Sequence, residues 1–325
     1  MTAGAGSGVE EPRDLGEALR RAAALLAEAG VPSPRADAEQ LAAHLLAGEL
    51  ASGGLGRLRA LAIMGTPLPV GFSDAFWELV AERARRVPLQ HLTGVAHFRH
   101  LTLAVGPGVF VPRPETEGVV QLALDWIAEH FPAPAHDAAA PPDAAAPPRA
   151  RRGPVAVDLG TGSGAIAASI AHEVPTAVVH AVELSELAHA WAARNLAAEA
   201  TGGRVRLALG DLRTAFPDLD GTVDVVVSNP PYIPPGMVPR EPEAAEHDPE
   251  MALYGGAEGG LELPLAAAAT AARLLKPGGF FVMEHAEVQA ERLAAVLGAD
   301  PAWTCVRSHT DLNGFPRSTS AVRAG

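Results

Sequence analysis

The run Val223-Asp224-Val225-Val226-Val227-Ser228 is apolar and β-branched almost throughout, which marks a strand buried on both faces instead of one lying on a half-wet sheet. Its continuation, Asn229-Pro230-Pro231-Tyr232, stops that strand with a side-chain amide and an aromatic ring at the sheet edge. Two successive prolines fix φ and donate no backbone hydrogen bond, so the carbonyls of Asn229 and Pro230 are held rigidly and left to accept from a ligand. That arrangement suits an incoming planar NH2 group. An ordinary turn is the competing reading of the tetrapeptide alone, because Asn-Pro and Pro-Pro commonly punctuate loops.

The upstream sequence favours a site. Pro154 to Leu159 is a short apolar strand that runs into Gly160-Thr161-Gly162-Ser163-Gly164 and then into a helix. Glycines there allow a tight turn and close backbone approach, and the helix N-terminus offers unpaired N–H groups. The dinucleotide pattern G-x-G-x-x-G is not met, because the glycines alternate and Ala165 follows Gly164. With Asp158 just ahead, the alternation is similar to the first motif of S-adenosylmethionine-dependent methyltransferases. About 20 residues on, the strand Ala177 to Val182 ends in Glu183, a spacing at which a carboxylate can accept from ribose hydroxyls. A third strand, Arg204 to Leu209, leads to Asp211 and Leu212, placed to accept from an adenine amino group and to cover its ring; taken singly, Asp211 reads as a turn former. Four strand ends of this kind predict one ligand-binding edge of a parallel α/β sheet.

At 325 residues and 48% hydrophobic, the chain has material for two packed domains. A net charge of -13 argues against a broad phosphate-binding surface, and hence against direct nucleic-acid binding. The single cysteine, Cys305, excludes an intramolecular disulfide and a Cys-rich metal site; it reads as a small core residue and fits a reducing cytoplasm. No apolar run reaches membrane-spanning length, and Met1 to Arg13 reads as a disordered start instead of a signal peptide. The 12 histidines show no metal-ligand spacing, His97 and His100 being expected surface or core residues, so no metal is expected.

Periodicity predicts a helical domain over 14–90: a helix from Asp14 to Ala29, a second with Ser33 as N-cap and Pro34 first, and a third from Ser73 to Arg86. A hairpin-like connector over 91–112 follows, built from Phe98 to Val105 and Val109 to Val111 around Gly106-Pro107-Gly108. Pro112-Arg113-Pro114-Glu115-Thr116-Glu117 opens a helix to about Phe131 and is expected to wall the cofactor site. The Ala/Pro segment 132–153 reads as a mobile insertion within a catalytic domain spanning 113–325. The Pro- and Glu-rich stretch from Ile233 to Gly256 is long enough to be a functional lid or a disordered loop, and the tail supplies an antiparallel strand pair.

Taken together, these segments resemble the HemK-type glutamine methyltransferases, which methylate the side-chain amide of the Gly-Gly-Gln glutamine in peptide chain release factors. The resemblance runs over about 14–323 and rests on Thr93-Gly94 with Phe98, Phe110 to Glu117, Asp158 to Gly164, Asn229 to Tyr232, Ala252-Leu253-Tyr254-Gly255-Gly256 and Glu284-His285. Departures are Val111, His91, the insertion and Glu183 in place of aspartate. It implies a Rossmann-like S-adenosylmethionine-dependent methyltransferase sheet behind a small N-terminal helical domain that grips the protein substrate. It further implies that Gly160, Thr161, Gly162, Ser163 and Gly164 hold the methionine moiety, Glu183 the ribose, and Asp211 with Leu212 the adenine, with Asn229 bordering the cofactor. Catalysis is assigned by the same resemblance to Asn229, Pro230 and Tyr232. The Asn229 side-chain oxygen and the Pro230 carbonyl accept the two amide hydrogens, and Tyr232, beside Pro231, packs on the glutamine. The implied setting is a cytoplasmic monomer whose partner is a release factor. A ribosomal-protein glutamine methyltransferase shares nearly every motif. A DNA or RNA adenine methyltransferase would need a basic track, and a non-catalytic cofactor-binding module would not need the amide-orienting residues.

Overall fold

The computed structural model describes residues 11–50, 54–132, 153–199, 201–239 and 241–325. The expected disordered start and the Ala/Pro insertion lie almost wholly outside the described residues. The chain divides into two compact units, one of 1–94 with 241–247 and one of 95–240 with 248–325.

The first unit is helical, with α1 (Leu15–Glu28), α2 (Pro34–Leu45), α3 (Ala47–Leu50), α4 (Gly54–Ile63), α5 (Phe72–Ala84) and α6 (Leu89–Thr93). Asp14 caps α1 by accepting from the Glu17 N–H at 2.8 Å, and Leu15, Ala18, Leu19, Ala22 and Leu26 bury one face. Pro34 opens α2 as expected, but the Ser33 side chain makes no capping bond. The helix α4 was not foreseen, because Gly54 and Gly56 weaken the helical signal; it docks through the fully buried Leu58. A short helix, Pro242–His247, completes the unit. Its Glu243 bonds Arg86 at 2.6 and 2.8 Å and Arg83 at 2.7 Å, while Arg83 reaches Asp37 at 2.7 Å. Burial would raise the Glu243 carboxyl, yet the two guanidiniums hold it down at about 2. Part of the long stretch read as a functional lid or a disordered loop is thus a helix ion-paired within the helical unit.

The second unit begins with an antiparallel hairpin, β1 (Val95–Phe98) and β2 (Leu101–Ala104), turning at Arg99 with φ 49°. The expected pairing with Val109 to Val111 does not form. Gly106 lies against the Trp191 ring, where an added Cβ would sit 2.7 Å away, and Val109 and Val111 are buried in a non-strand segment with Ala188. The rest is a seven-stranded sheet in the order β5-β4-β3-β6-β7-β9-β8, comprising β3 (Val155–Leu159), β4 (Val178–Glu183), β5 (Val205–Leu209), β6 (Val223–Ser228), β7 (Leu275–Glu284), β8 (Trp303–Thr310) and β9 (Pro316–Arg323). The strands β3 to β7 run parallel, and β9 and β8 close the edge antiparallel.

The valine run is explained by the two faces of β6. Val225 and Val227 pack with α7 (Pro114–His130), α8 (Ala165–Glu173) and α9 (Glu186–Ala198), whereas Val223 and Val226 pack with the helices Glu262–Leu274 and Ala290–Ala299. With helices on both faces no polar alternation is called for. Cys305 departs from expectation: it is exposed, with φ 51°, at the β8 irregularity between Thr304 and Arg307, where an extra residue leaves the ladder.

Candidate active site

Chain order around β3 sets the position of the site. From β3 the chain moves outward to β4 and β5, then returns to lay β6 on the other edge of β3, so the turns after β3 and β6 flank a topological switch point. Ser228, fully buried at the end of β6, donates to the Leu159 carbonyl at 2.7 Å and ties the two strand ends together.

The glycine turn leaves β3 with φ of 78°, 57° and 85° at Gly160, Gly162 and Gly164, values only glycine adopts freely. The Gly160 and Thr161 N–H groups donate to the Val182 carbonyl, and the Thr161 hydroxyl donates to Asp158 at 2.5 Å. Ser163 is buried, its carbonyl accepting from Asn195. Asp158 also accepts from the Ala167 N–H at 3.1 Å, and burial pushes its carboxyl up to about 7. Glu183 takes the Gly162 N–H at 2.8 Å on one oxygen and the Ser185 N–H at 2.9 Å on the other. A carboxylate has about four acceptor positions, so capacity for hydroxyl donors remains. A Cβ at Gly160 or Gly162 would meet no atom within 4 Å, so the turn borders open space, and with Glu183 beside it the residues fit a nucleoside-linked methionine. Asp211 accepts from the Arg213 N–H at 2.8 Å and pairs with its guanidinium at 3.0 Å, the turn-forming role; Leu212 is half-buried against the core.

On the other side of the switch point, Asn229 donates through Nδ2 to the Thr116 hydroxyl at 3.1 Å. Thr116 donates to Glu284 Oε2 at 2.7 Å, and the Tyr232 hydroxyl donates to Glu284 Oε1 at 3.1 Å. Burial raises the Glu284 carboxyl, and it raises the Tyr232 phenol above its ordinary range. No backbone N–H among the described residues donates to the carbonyl of Asn229 or Pro230. The Tyr232 carbonyl is different: Gln289 Nε2 donates to it at 2.7 Å and to the Gly259 carbonyl at 2.9 Å. Gly255 lies so close that a Cβ would stand 2.7 Å from both the Pro231 oxygen and the Tyr232 Cα, and Ile233 exchanges backbone hydrogen bonds with Leu253 and Gly255. The Leu253-Tyr254-Gly255-Gly256 segment is therefore the backing of the Asn-Pro-Pro-Tyr turn.

The stretch from Pro112 to Glu117 meets that same turn. Thr116 bonds Asn229, and Arg113 reaches the buried Asp248 at 2.8 Å while lying over the Phe110 ring. Sequence reasoning expected the stretch with Thr116 to wall the cofactor site and the stretch with Gly255 to be a lid or a disordered loop, whereas Thr116 bonds Asn229 and Gly255 backs the Asn-Pro-Pro-Tyr turn; it gave Glu284 no role and missed Gln289. Only their recurrence beside the turn could have signalled them, and that appears once β7 is paired to β6.

Two family models match, the PrmC N-terminal domain over residues 17–94 and the methyltransferase small domain over 147–238. A release factor glutamine methyltransferase of Streptomyces coelicolor is 48% identical over 305 residues, covering 92% of this chain and 94% of that protein. The chain belongs to the release factor glutamine methyltransferase family. A second relative of that name, from Bifidobacterium longum, is 42% identical over 94% of this chain and 98% of its own length. A third, the 4-amino-L-phenylalanine/4-methylamino-L-phenylalanine methyltransferase of Streptomyces pristinaespiralis, is 39% identical over 92% of each. The family assignment makes this chain an S-adenosylmethionine-dependent methyltransferase with a methyltransferase sheet and a helical N-terminal domain, as the sequence led us to expect. Among the described residues no helix is long and apolar enough to cross a membrane.

Proposed function

We propose that the chain methylates the side-chain amide nitrogen of the Gly-Gly-Gln glutamine of peptide chain release factors, acting in the cytoplasm. One observation carries the reading. Asn229 turns its Nδ2 arm to Thr116 and gives it one N–H, which leaves its side-chain oxygen as the arm available to a donor, beside rigid carbonyls at Asn229 and Pro230 to which no backbone N–H among the described residues donates. A primary amide presents two N–H donors, and Asn229 Oδ1 with the Pro230 carbonyl accept one each. Amide nitrogen is a poor nucleophile because its lone pair is delocalised, so holding it in line and favouring positive charge on it lowers the barrier. S-adenosylmethionine, when bound, supplies a methyl group on a sulfonium. The glycine turn and Glu183 would hold it, and Asp211 and Leu212 would border its adenine. The amide nitrogen would gain the methyl as the methyl–sulfur bond breaks, the electron pair staying on sulfur as the thioether S-adenosylhomocysteine leaves, and the nitrogen would release one proton to water.

The Streptomyces pristinaespiralis relative favours a second reading, an aromatic amine acceptor, since it aligns over the N-terminal unit as well and that unit does not separate the two. The test offers the purified protein and S-adenosylmethionine four acceptors: a release factor, a ribosomal protein, adenine-containing DNA and 4-amino-L-phenylalanine. A mass gain of one CH2 on the release factor's Gly-Gly-Gln peptide is expected. Equal methylation of a release factor whose glutamine is changed to alanine, or turnover confined to another acceptor, overturns the proposal.

A further inference from the structure

The amide of Asn229 can be turned two ways, and only one of them presents an oxygen to the acceptor. Thr116 sits on one arm of that amide at 3.1 Å, buried at 4% exposure, and on its far side the fully enclosed Glu284 takes the Thr116 hydroxyl at 2.7 Å. A hydroxyl has a single proton to give, and Glu284 accepts on both oxygens, from Thr116 and from Tyr232. With that proton committed to Glu284, the Thr116 oxygen faces Asn229 as an acceptor, so the arm turned toward it must be the NH2. The oxygen is then forced to the opposite side. We infer that Thr116 and Glu284 are positioning residues that lock Asn229 in the orientation presenting Oδ1 to the substrate's NH2.

The lock rests on the reading of Asn229 as amide acceptor, and it deepens that reading by naming what selects the productive rotamer. The Tyr232 hydroxyl completes it by occupying the other oxygen of Glu284 at 3.1 Å, which keeps the carboxylate from turning toward a different donor. The chain links three parts of the sequence: the N-terminal turn of α7, the end of β6 and the end of β7. Among the described residues no other hydrogen bond holds the Asn229 side-chain amide, so without the Thr116 hydroxyl Nδ2 is not preferred over Oδ1 at that position. A flipped amide would then offer the incoming donor another donor.

The experiment compares Thr116→Val, which keeps the volume and removes the hydroxyl, with Thr116→Ser, which keeps the hydroxyl. Steady-state methylation is measured on the best acceptor of the panel above, with cofactor binding followed by titration of S-adenosylhomocysteine. Thr116→Val is expected to lower kcat about 10- to 100-fold with KM and cofactor affinity within about threefold, a loss of one oriented hydrogen bond in the transition state. Thr116→Ser is expected to retain kcat within about threefold. In single-turnover assays, adding Thr116→Val to Asn229→Ala should cost nothing further, because the first residue acts through the second. An additive loss, or a Thr116→Val enzyme with unchanged kcat, overturns the lock. A fully active Asn229→Ala enzyme instead overturns the reading beneath it, which keeps the two failures distinct. Should Thr116→Val fail to fold, Thr116→Ala carries the same comparison.

Discussion

The two sides of the switch point are held by bonds of very different reach. Around the glycine turn the geometry is set locally: Thr161 to Asp158 spans 3 residues, Ala167 to Asp158 spans 9 and Gly162 to Glu183 spans 21. Around Asn229 the corresponding separations are 113 to Thr116, 168 from Thr116 to Glu284, 52 from Tyr232 to Glu284 and 57 from Gln289 to Tyr232. The donor side is a cradle built within one consecutive strand–helix–strand unit, β3 through α8 to β4. The acceptor side exists only when α7, β6 and β7 have found one another. Local construction suits a cofactor whose chemistry is common to many enzymes, whereas the substrate-facing side draws on the whole sheet.

The sharpest way to break this contrast is to remove a group from the acceptor side and ask whether the donor side notices. Asn229→Ala should lower kcat by about 10²- to 10³-fold, the usual cost of deleting one oriented polar group at a developing charge. Cofactor affinity, read by titration calorimetry, should stay within a few-fold. Loss of cofactor binding together with turnover would mean that the two sides are one cooperative structure.

The reciprocal change is smaller. Glu183→Ala removes the acceptor of the Gly162 and Ser185 N–H groups as well as the expected ribose contact, and should weaken cofactor binding about 10- to 100-fold. With cofactor at saturation, kcat should remain within a few-fold of the unaltered enzyme. A fall in saturated kcat as large as that of Asn229→Ala would erase the distinction between the sides.

How much of this was legible in the sequence follows the same division. The glycine alternation, Asp158 and Glu183 lie within 26 residues of one another, and their spacing carried the parallel sheet and the ligand-binding edge directly. Asn229 to Tyr232 was legible as a turn with free carbonyls. Its supports were not, because no local pattern says that a threonine opening α7 will meet a glutamate ending β7. Thr116 and Glu284 each look like an ordinary polar residue until the sheet order is known. The Cys305 and Val109–Val111 expectations failed for a related reason. A bulge in β8 and a tryptophan against Gly106 are tertiary events that override an apolar pattern.

The finest test lies within the donor side and uses Asp158. Its carboxyl is fully enclosed, and burial pushes it from 3.8 to about 7, the hydrogen bonds from Thr161 and Ala167 being too weak to offset the loss of water. Between about pH 4 and pH 7 the folded chain therefore holds a proton that the unfolded chain releases, so this residue makes stability fall as pH rises across that window and adds no slope above it. Asp158→Asn still offers an oxygen to Thr161 and Ala167 but has no proton to lose. The Tm of the unaltered protein minus that of Asp158→Asn, measured without cofactor, should decline steadily from pH 4 to pH 7 and then level. A difference that stays flat, or climbs, would show that Asp158 is ionised and matched within the fold. The cradle would then rest on a buried charge instead of on backbone geometry and a neutral acid.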